Sequence, residues 1–198
     1  MIGLGGNLVL LDSGMLSLEE IATGLSRAPR FVGQTLGLWT VVDHLLAGMV
    51  YSNVQGWSKE LQLHFGLHDA HEAMTGDVPT TFKTDDLRKI QRALDVRLYA
   101  NLHLRPPTWA QQDKVHELDG DMLLAEAKTV CPETTYRRVV FERGHREATL
   151  PHCLAVQEVL SWNKTGEEAA ELWLTSIRQL IQYVNEPWLV HGDSVEAK

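Results

Sequence analysis

The chain has 198 residues, of which 44% are hydrophobic, and its formal net charge at pH 7 is −8. This length fits one domain with a sizeable core, and the acidic balance without a basic tract argues against a surface built to bind duplex DNA. No run approaches the roughly 18 apolar residues of a membrane span, and the N-terminus lacks the basic start of a secretory signal.

The two cysteines, Cys131 and Cys153, lie far apart and have no zinc-type spacing. The simplest interpretation is a pair of reduced thiols in a cytosolic protein. The negative net charge does not exclude a small anionic substrate, because a few cationic side chains can be focused in one pocket.

The hydrophobic pattern predicts an almost wholly α-helical single domain over residues 1–198, with a short strand or strand pair at 8–11. Capping boxes at Ser17 and Thr165 predict two of the helix starts. The segment 131–149 has no clean period, and its part 136–141 fits a strand or a loop, while the tail 185–198 reads as irregular. Helices are predicted at 18–27, at 38–51, at 59–74, from a cap at Thr84 to the break at Arg105-Pro106-Pro107, at 108–130, at 152–161 and from 165 to 184.

The most informative stretch is 67–83, where the adjacent pair His68-Asp69 lies near the end of a predicted helix. Glu72 follows one turn later, and a turn at 76–79 closes the helix. Neighbouring residues on a helix point about 100° apart, so both side chains of the pair reach one ion lying over the edge between them. A buried ionised carboxylate costs several kcal/mol unless it is paired or binds metal, so the pair indicates metal ligands where further ligands accompany it.

Two further candidate ligands lie on other predicted helices. His44 is in the middle of the 38–51 helix, and Asp119 is inside the 108–130 helix. With His68 and Asp69 they form a set of two imidazoles and two carboxylates, which suits a divalent ion such as Mn, Fe, Co, Zn or Mg. Asp121 is a rival for Asp119, and the helix phase favours Asp119. The sequence therefore predicts one metal site built from three helices.

Four more residues fit hydrolysis of a phosphate ester at such a site. A bound divalent ion polarises a phosphoryl oxygen and activates water. Glu72 is placed to orient or deprotonate that water, and Asp77 shares this task or assists the leaving group. Arg30, through its planar fork, and Lys83, as a point charge, are the candidates for binding phosphate.

This pattern resembles the HD-domain phosphohydrolases, whose signature is a histidine, a His-Asp pair and a distant aspartate, all binding one metal ion. The stretch 67–83 resembles the bacterial 5′-deoxynucleotidases and their phage relatives, and Arg30-Phe31 resembles the Arg-aromatic pair that precedes the first histidine there. The segments 117–119 and 125–127 resemble the helix that carries the last ligand. The resemblance covers about residues 17–130 and implies an all-α HD-domain bundle.

Within this family, a resemblance to phage dATP triphosphohydrolases implies hydrolysis of dATP to deoxyadenosine and triphosphate, with a second divalent ion on the substrate phosphates. It also implies that Phe31 and Pro79 contact the base, that the chain forms a dimer or hexamer, and that it acts in the cytoplasm, the host's if it is phage-encoded. No membrane or nucleic-acid polymer is expected as a partner. Two alternatives remain open: a 5′-deoxynucleotidase acting on deoxynucleoside monophosphates, and a catalytically inactive HD domain that binds nucleotide as a sensor.

Overall fold

The computed structural model describes residues 17–186, and over this range the chain is an all-α bundle. The predicted strand pair at 8–11 and all but the start of the predicted irregular tail lie outside the described residues. The helices are α1 (Leu18–Leu25), α2 (Val41–Val54), α3 (Lys59–Leu67), α4 (Glu72–Thr75), α5 (Asp85–Asn101), α6 (Trp109–Val130), α7 (Glu133–Glu142), α8 (Leu150–Ser161) and α9 (Gly166–Asn185).

Side-chain caps fix where several of the helices begin. The predicted capping boxes at Ser17 and Thr165 are confirmed, since each side chain accepts from the backbone three residues on and the glutamate there bonds back. A further box joins Thr40 to Asp43 and starts α2 at Val41, three residues later than the predicted start at 38. The sequence signal for this start is a threonine followed by an aspartate at the third position.

Helix α2 is the centre of the bundle, because nine of its 14 residues are buried and they lie on every side of it. It packs against α1, α3, α6, α8 and α9. Its contact with α3 is close: a methyl group at Gly48 would overlap the Phe65 ring. The absence of a side chain at Gly48 therefore allows α2, which carries His44, to pack closely against α3, which ends just before His68.

The single helix predicted at 59–74 is wrong, because α3 ends at Leu67 and a tight turn leads into the short α4. In this turn the backbone bonds span three residues: Ala70 N donates to Leu67 O at 3.0 Å, and Glu72 N donates to Asp69 O at 2.9 Å. A three-residue bond winds the backbone more tightly than a regular α-helix does. The turn brings His68 and Asp69 to one side, where a continuous helix would have spread them.

The strand or loop expected at 136–141 is also wrong, since these residues lie in α7. Only Tyr136 and Val140 are buried there, one turn apart, so the apolar stripe is too narrow to produce a clear period. Charged pairs across one turn support the exposed face, with Arg137 Nε donating to Glu133 at 2.6 Å and an equivalent pair at the other end.

Two simpler expectations can be compared with the described residues. Cys131 and Cys153 are both buried free thiols. None of the helices in the range 17–186 combines the length and the apolar character that crossing a bilayer requires.

Candidate metal centre and cleft

Four side chains from α2, α6 and the turn after α3 converge on one point: those of His44, His68, Asp69 and Asp119. One ligand atom from each lies within 4.8 Å of all the others. His44 Nε2 is 3.4 Å from Asp119 Oδ1, and His68 Nε2 is 3.2 Å from Asp69 Oδ2. This group of two imidazoles and two carboxylates could hold a metal ion.

The two imidazoles are aimed at this point by bonds from their other ring nitrogens. His44 Nδ1 lies 2.5 Å from Glu126 Oε1, and His68 Nδ1 lies 2.7 Å from the carbonyl oxygen of Phe65. If each Nδ1 carries the proton and donates, each Nε2 presents a lone pair to the centre. Both Nε2 atoms are buried and have no hydrogen-bond partner among the described residues. Buried nitrogens left in this way fit ligation of a cation, which is the usual arrangement of metal-binding histidines.

Glu126 is the main residue in contact with the centre for which the sequence predicted no role. It is fully buried, and besides orienting His44 it accepts two hydrogen bonds from Arg30, at 3.2 and 3.1 Å. Seven residues separate it from Asp119, which is almost two helical turns, so both carboxylates lie on one face of α6. This spacing from a predicted ligand, together with an acidic residue in an otherwise apolar stretch, was the signal that could have identified it.

The electrostatics of the centre favour positive charge. Burial and the Arg30 guanidinium lower the pKa of His44, but the carboxylates of Glu126 and Asp119 outweigh them and raise it to about 9. Burial raises the pKa of Asp69, but His68 and His44 outweigh it and hold that pKa below its ordinary value. The two shifts arise from the mutual attraction of imidazoles and carboxylates at short range, and the carboxylates that stabilise positive charge on His44 would also attract a metal cation.

Above the centre lies a cleft of about 430 Å³, and eight of the predicted site residues line it. The two predicted site residues that do not line it are His44, which is fully buried, and His68. The cleft also has lining residues that the sequence analysis did not single out, of which Arg143 and Glu142 are charged. The predicted residues that line it are Arg30, Phe31, Asp69, Glu72, Asp77, Pro79, Lys83 and Asp119.

Glu72 is 2% exposed and has one bound and one unbound oxygen. Lys83 Nζ donates to Oε1 at 3.3 Å, whereas Oε2 has no hydrogen-bond partner in the described range. Burial, with the carboxylates of Asp69 and Asp77 nearby, raises the pKa of Glu72 to about 8 against the lowering effect of Lys83. A buried carboxylate with a raised pKa and a spare oxygen, beside a group of side chains that could hold a metal ion, suits a group that accepts a proton.

Arg30 is held in place by a strained loop. Its backbone N–H donates to Trp39 O at 2.9 Å, and the next two residues, Phe31 and Val32, have φ values of +53° and +55°. Left-handed backbone at a β-branched valine is rare and costs of order 1–3 kcal/mol. The loop directs Arg30 inward: Nε and Nη2 bond to Glu126, and Nη1 lies 3.7 Å from Asp77. Only the Nη1 edge therefore remains for the phosphate role that the sequence predicted.

A second group of ligand atoms lies beside the first, on Asp69, His71 and Glu72. His71 Nδ1 is 2.8 Å from Asp95 Oδ1, and its Nε2 is buried without a partner among the described residues. Asp69 belongs to both groups, so the two would share a carboxylate. This group could also hold a metal ion.

Asp121 and His64, which lie near predicted ligands in the sequence, are outside the centre. Asp121, the rival of Asp119, pairs with Arg146 at 2.5 Å and lies 3.6 Å from His152 Nε2. His64 is buried, and its Nδ1 is 3.0 Å from the hydroxyl of Tyr99. Neither residue contributes an atom to the two groups of ligands.

No protein-family model matches the chain, and no curated protein matches it. The geometry of the side chains is therefore what bears on function. It joins a buried donor set suited to a divalent ion with a cleft that contains cationic groups and a protonatable carboxylate.

Proposed function

We propose that this protein is a metal-dependent deoxynucleotide phosphohydrolase of the HD-domain type, and specifically that it hydrolyses dATP to deoxyadenosine and triphosphate. The observation that carries the proposal is the convergence of four ligand atoms within 4.8 Å at the floor of a cleft with cations in its walls. A nucleoside phosphate needs both features, because its reacting phosphorus must be made electrophilic and its negative charge must be balanced.

The residues of the centre fit a divalent ion, since His44 and His68 offer unpartnered Nε2 atoms and Asp69 and Asp119 offer carboxylates. When bound, such an ion polarises a phosphoryl oxygen and makes a water molecule more acidic at neutral pH. The donor set is compatible with Co, Zn, Mn or Mg. The resemblance to phage enzymes also implies a second ion on the substrate phosphates.

Glu72 is proposed to take a proton from the attacking water through its free Oε2 while Lys83 holds Oε1. The oxygen of that water forms a bond to the α-phosphorus, and the bond from phosphorus to the 5′-oxygen breaks. Asp77 then supplies a proton to the leaving 5′-oxygen, and burial raises the pKa of Asp77 in support of this role. The products of these steps are deoxyadenosine and triphosphate.

We propose that different residues of the cleft lining bind the phosphates and the base of the substrate. Arg30 Nη1 and Lys83 contact the phosphate under attack, and the Phe31 ring and Pro79 contact the base. The Phe31 ring is half-buried, and the Arg30 guanidinium lies 5.8 Å from its centre. A cleft of about 430 Å³ falls within the range of small-molecule sites, which is roughly 300–1,000 Å³.

The test is product analysis by ion exchange after incubation with each dNTP and each dNMP in the presence of Mn, Co, Zn or Mg. We expect triphosphate from dATP. Inorganic phosphate from a monophosphate, with none of the triphosphate product, would replace this proposal by a 5′-deoxynucleotidase. No product from any substrate would leave only the nucleotide-binding sensor. An Asp69→Ala preparation, purified in the same way, controls for contaminating phosphatases.

A second measurement separates proton transfer from metal binding. Glu72→Ala is expected to keep the bound metal and to lose about 10²–10⁴-fold in kcat, which is the usual contribution of a general base. Metal content by atomic emission and kcat by product analysis are measured on the same preparation. Loss of metal together with activity would show instead that Glu72 supports the centre directly.

A further inference from the structure

Three cationic side chains line the cleft, and they differ in how far carboxylates already neutralise them: Arg30, Lys83 and Arg143. Arg30 bonds to Glu126, and Lys83 bonds to Glu72. Arg143 makes no ion pair with any residue in the range 17–186. Among the three cations, Arg143 is therefore the one whose charge is not paired with a carboxylate of the described residues.

Arg143 is an exposed residue whose backbone is held at the end of α7. Its backbone N–H donates to Val139 O at 3.0 Å, and Gly144 follows with a φ of +67°, so the chain turns away directly after it. One guanidinium nitrogen, Nη1, lies 3.8 Å from where a Cβ on Gly120 would be. Gly120 follows Asp119 in α6, so this cation lies along the helix that supplies a metal ligand.

The neighbouring carboxylate of Glu142 also lines the cleft, and it does not cancel this charge. Glu142 Oε1 accepts a hydrogen bond from Arg138 Nε at 3.0 Å, one turn earlier on α7. The C-terminal end of α7 thus presents a neutralised Glu142 and an unpaired Arg143 to the cleft.

We propose that Arg143 binds the phosphates beyond the one under attack, so that α7 sets the preference for a triphosphate over a monophosphate. This inference rests on the proposed function and names the residue that selects the substrate. A monophosphate would be bound by a metal ion at the centre, by Lys83 and by the Nη1 edge of Arg30, which lies 3.7 Å from Asp77 and 3.9 Å from Asp69. A triphosphate carries about two further charges, and an unpaired guanidinium that can bond two oxygens at once matches them.

The test compares Arg143→Gln with Arg137→Gln in the full chain. Arg137 lies on the same helix and is 63% exposed, but it pairs with Glu133 and Glu147 and does not line the cleft. Both variants are made in a Glu72→Gln background, which slows turnover so that dATP and dAMP binding can be titrated calorimetrically in excess Mg²⁺. Arg143→Lys serves as a charge-retaining variant, and thermal denaturation checks that each protein folds.

Arg143→Gln should weaken dATP binding roughly tenfold and leave dAMP binding unchanged, because hydrogen bonds to charged groups contribute of this order. Arg137→Gln should change neither affinity, and Arg143→Lys should recover part of the loss. Equal effects on the two nucleotides, or no effect, would overturn the inference. Failure of the proposed function is a separate result, namely no product from any nucleotide, and the affinity ratio reports on Arg143 in either case.

Discussion

Helix α6 carries acidic residues on two opposite faces, and only one face forms a candidate metal centre. On the first face, Asp119 lies 3.4 Å from His44 Nε2, and Glu126 lies 2.5 Å from Nδ1 of the same ring. On the second face, roughly 200° around the helix from Asp119, Asp121 lies 3.6 Å from His152 Nε2. Both faces therefore bring a carboxylate to a histidine, so this pairing alone does not identify a metal site.

The difference between the faces lies in how the charge is balanced. On the second face Arg146 neutralises Asp121 at 2.5 Å, and burial dominates and lowers the pKa of His152. On the first face Arg30 bonds to Glu126 and makes no ion pair with Asp119. Burial and Arg30 lower the pKa of His44, but the carboxylates of Glu126 and Asp119 outweigh them and raise it to about 9. The two faces therefore differ in how much carboxylate charge is paired with arginine, and the face with less pairing is the one whose residues could hold a metal ion.

The largest effect should separate the two aspartates. Asp119→Asn keeps the size of the side chain but removes a charged ligand, so we expect loss of the bound metal and of turnover together. Asp121→Asn should keep both, because its carboxylate contacts Arg146 and His152 instead of the centre. Metal content by atomic emission and dATP turnover are the measurements. An active, metal-loaded Asp119→Asn protein would contradict the placement of the centre.

The next effect should come from Glu126, which contacts the His44 imidazole and does not belong to the group of four ligands. Glu126→Gln should weaken metal affinity about 10–100-fold, the usual cost of losing a group that orients a ligand. It should also lower the free energy of unfolding by about 3 kcal/mol or less, because Arg30 loses a buried partner but keeps Asp77 at 3.7 Å. Glu117→Gln, an exposed site on the same helix, is the matched control. Unchanged metal affinity would show that His44 is held without its carboxylate.

Local patterns in the sequence predicted most of the helices and the four side chains that the structure brings together. Capping signals at Ser17 and Thr165 and the motif at 67–83 are each read within a few residues. The orientation of His44 was not accessible in this way, because Glu126 reaches it across 82 positions of chain. For a long-range hydrogen bond of this kind, the only signal in the sequence is the spacing between Asp119 and Glu126 on α6.

The errors also have physical causes. The continuous helix predicted at 59–74 failed because the apolar period continues through a turn in which the hydrogen bonds change from four residues to three. α7 was missed because its partner surface is small and only Tyr136 and Val140 are buried. That helix brings Arg143 and Glu142 to the cleft, so missing it also hid one wall of the candidate site.

A smaller effect, on the free energy of unfolding, is expected from His152, the histidine on the second face of α6. Burial holds the pKa of His152 below its ordinary 6.5, so as the pH falls below about 6.5 the unfolded chain binds a proton before the folded one does. The free energy of unfolding therefore falls on the acid side, by at most about 1.4 kcal/mol per pH unit for one proton. His152→Gln should reduce this slope between pH 6.5 and 5, as measured by urea denaturation. Identical slopes would show that His152 is not kept neutral by the fold.

The smallest effect concerns Gly120, which lies between the two aspartates. Glycine inside a helix costs about 1 kcal/mol relative to alanine, and the nearest atom to a methyl group here, Arg143 Nη1, would be 3.8 Å away. Gly120→Ala should therefore raise the melting temperature by about 2–4 °C. Gly48→Ala is the contrast, because its methyl group would overlap the Phe65 ring and should destabilise by about 1–3 kcal/mol.

Turnover of the Gly120→Ala protein then decides why a glycine stands at this position. Unchanged kcat and KM for dATP would mean that both faces of α6 tolerate a better helix former between Asp119 and Asp121. A higher KM in a stabilised, metal-loaded protein would mean that the bare backbone leaves room for the Arg143 guanidinium to move against its phosphate. In that case Gly120 would destabilise the helix but favour substrate binding in the cleft. The functional difference between the two faces of α6 would then also involve Gly120, the residue between Asp119 and Asp121.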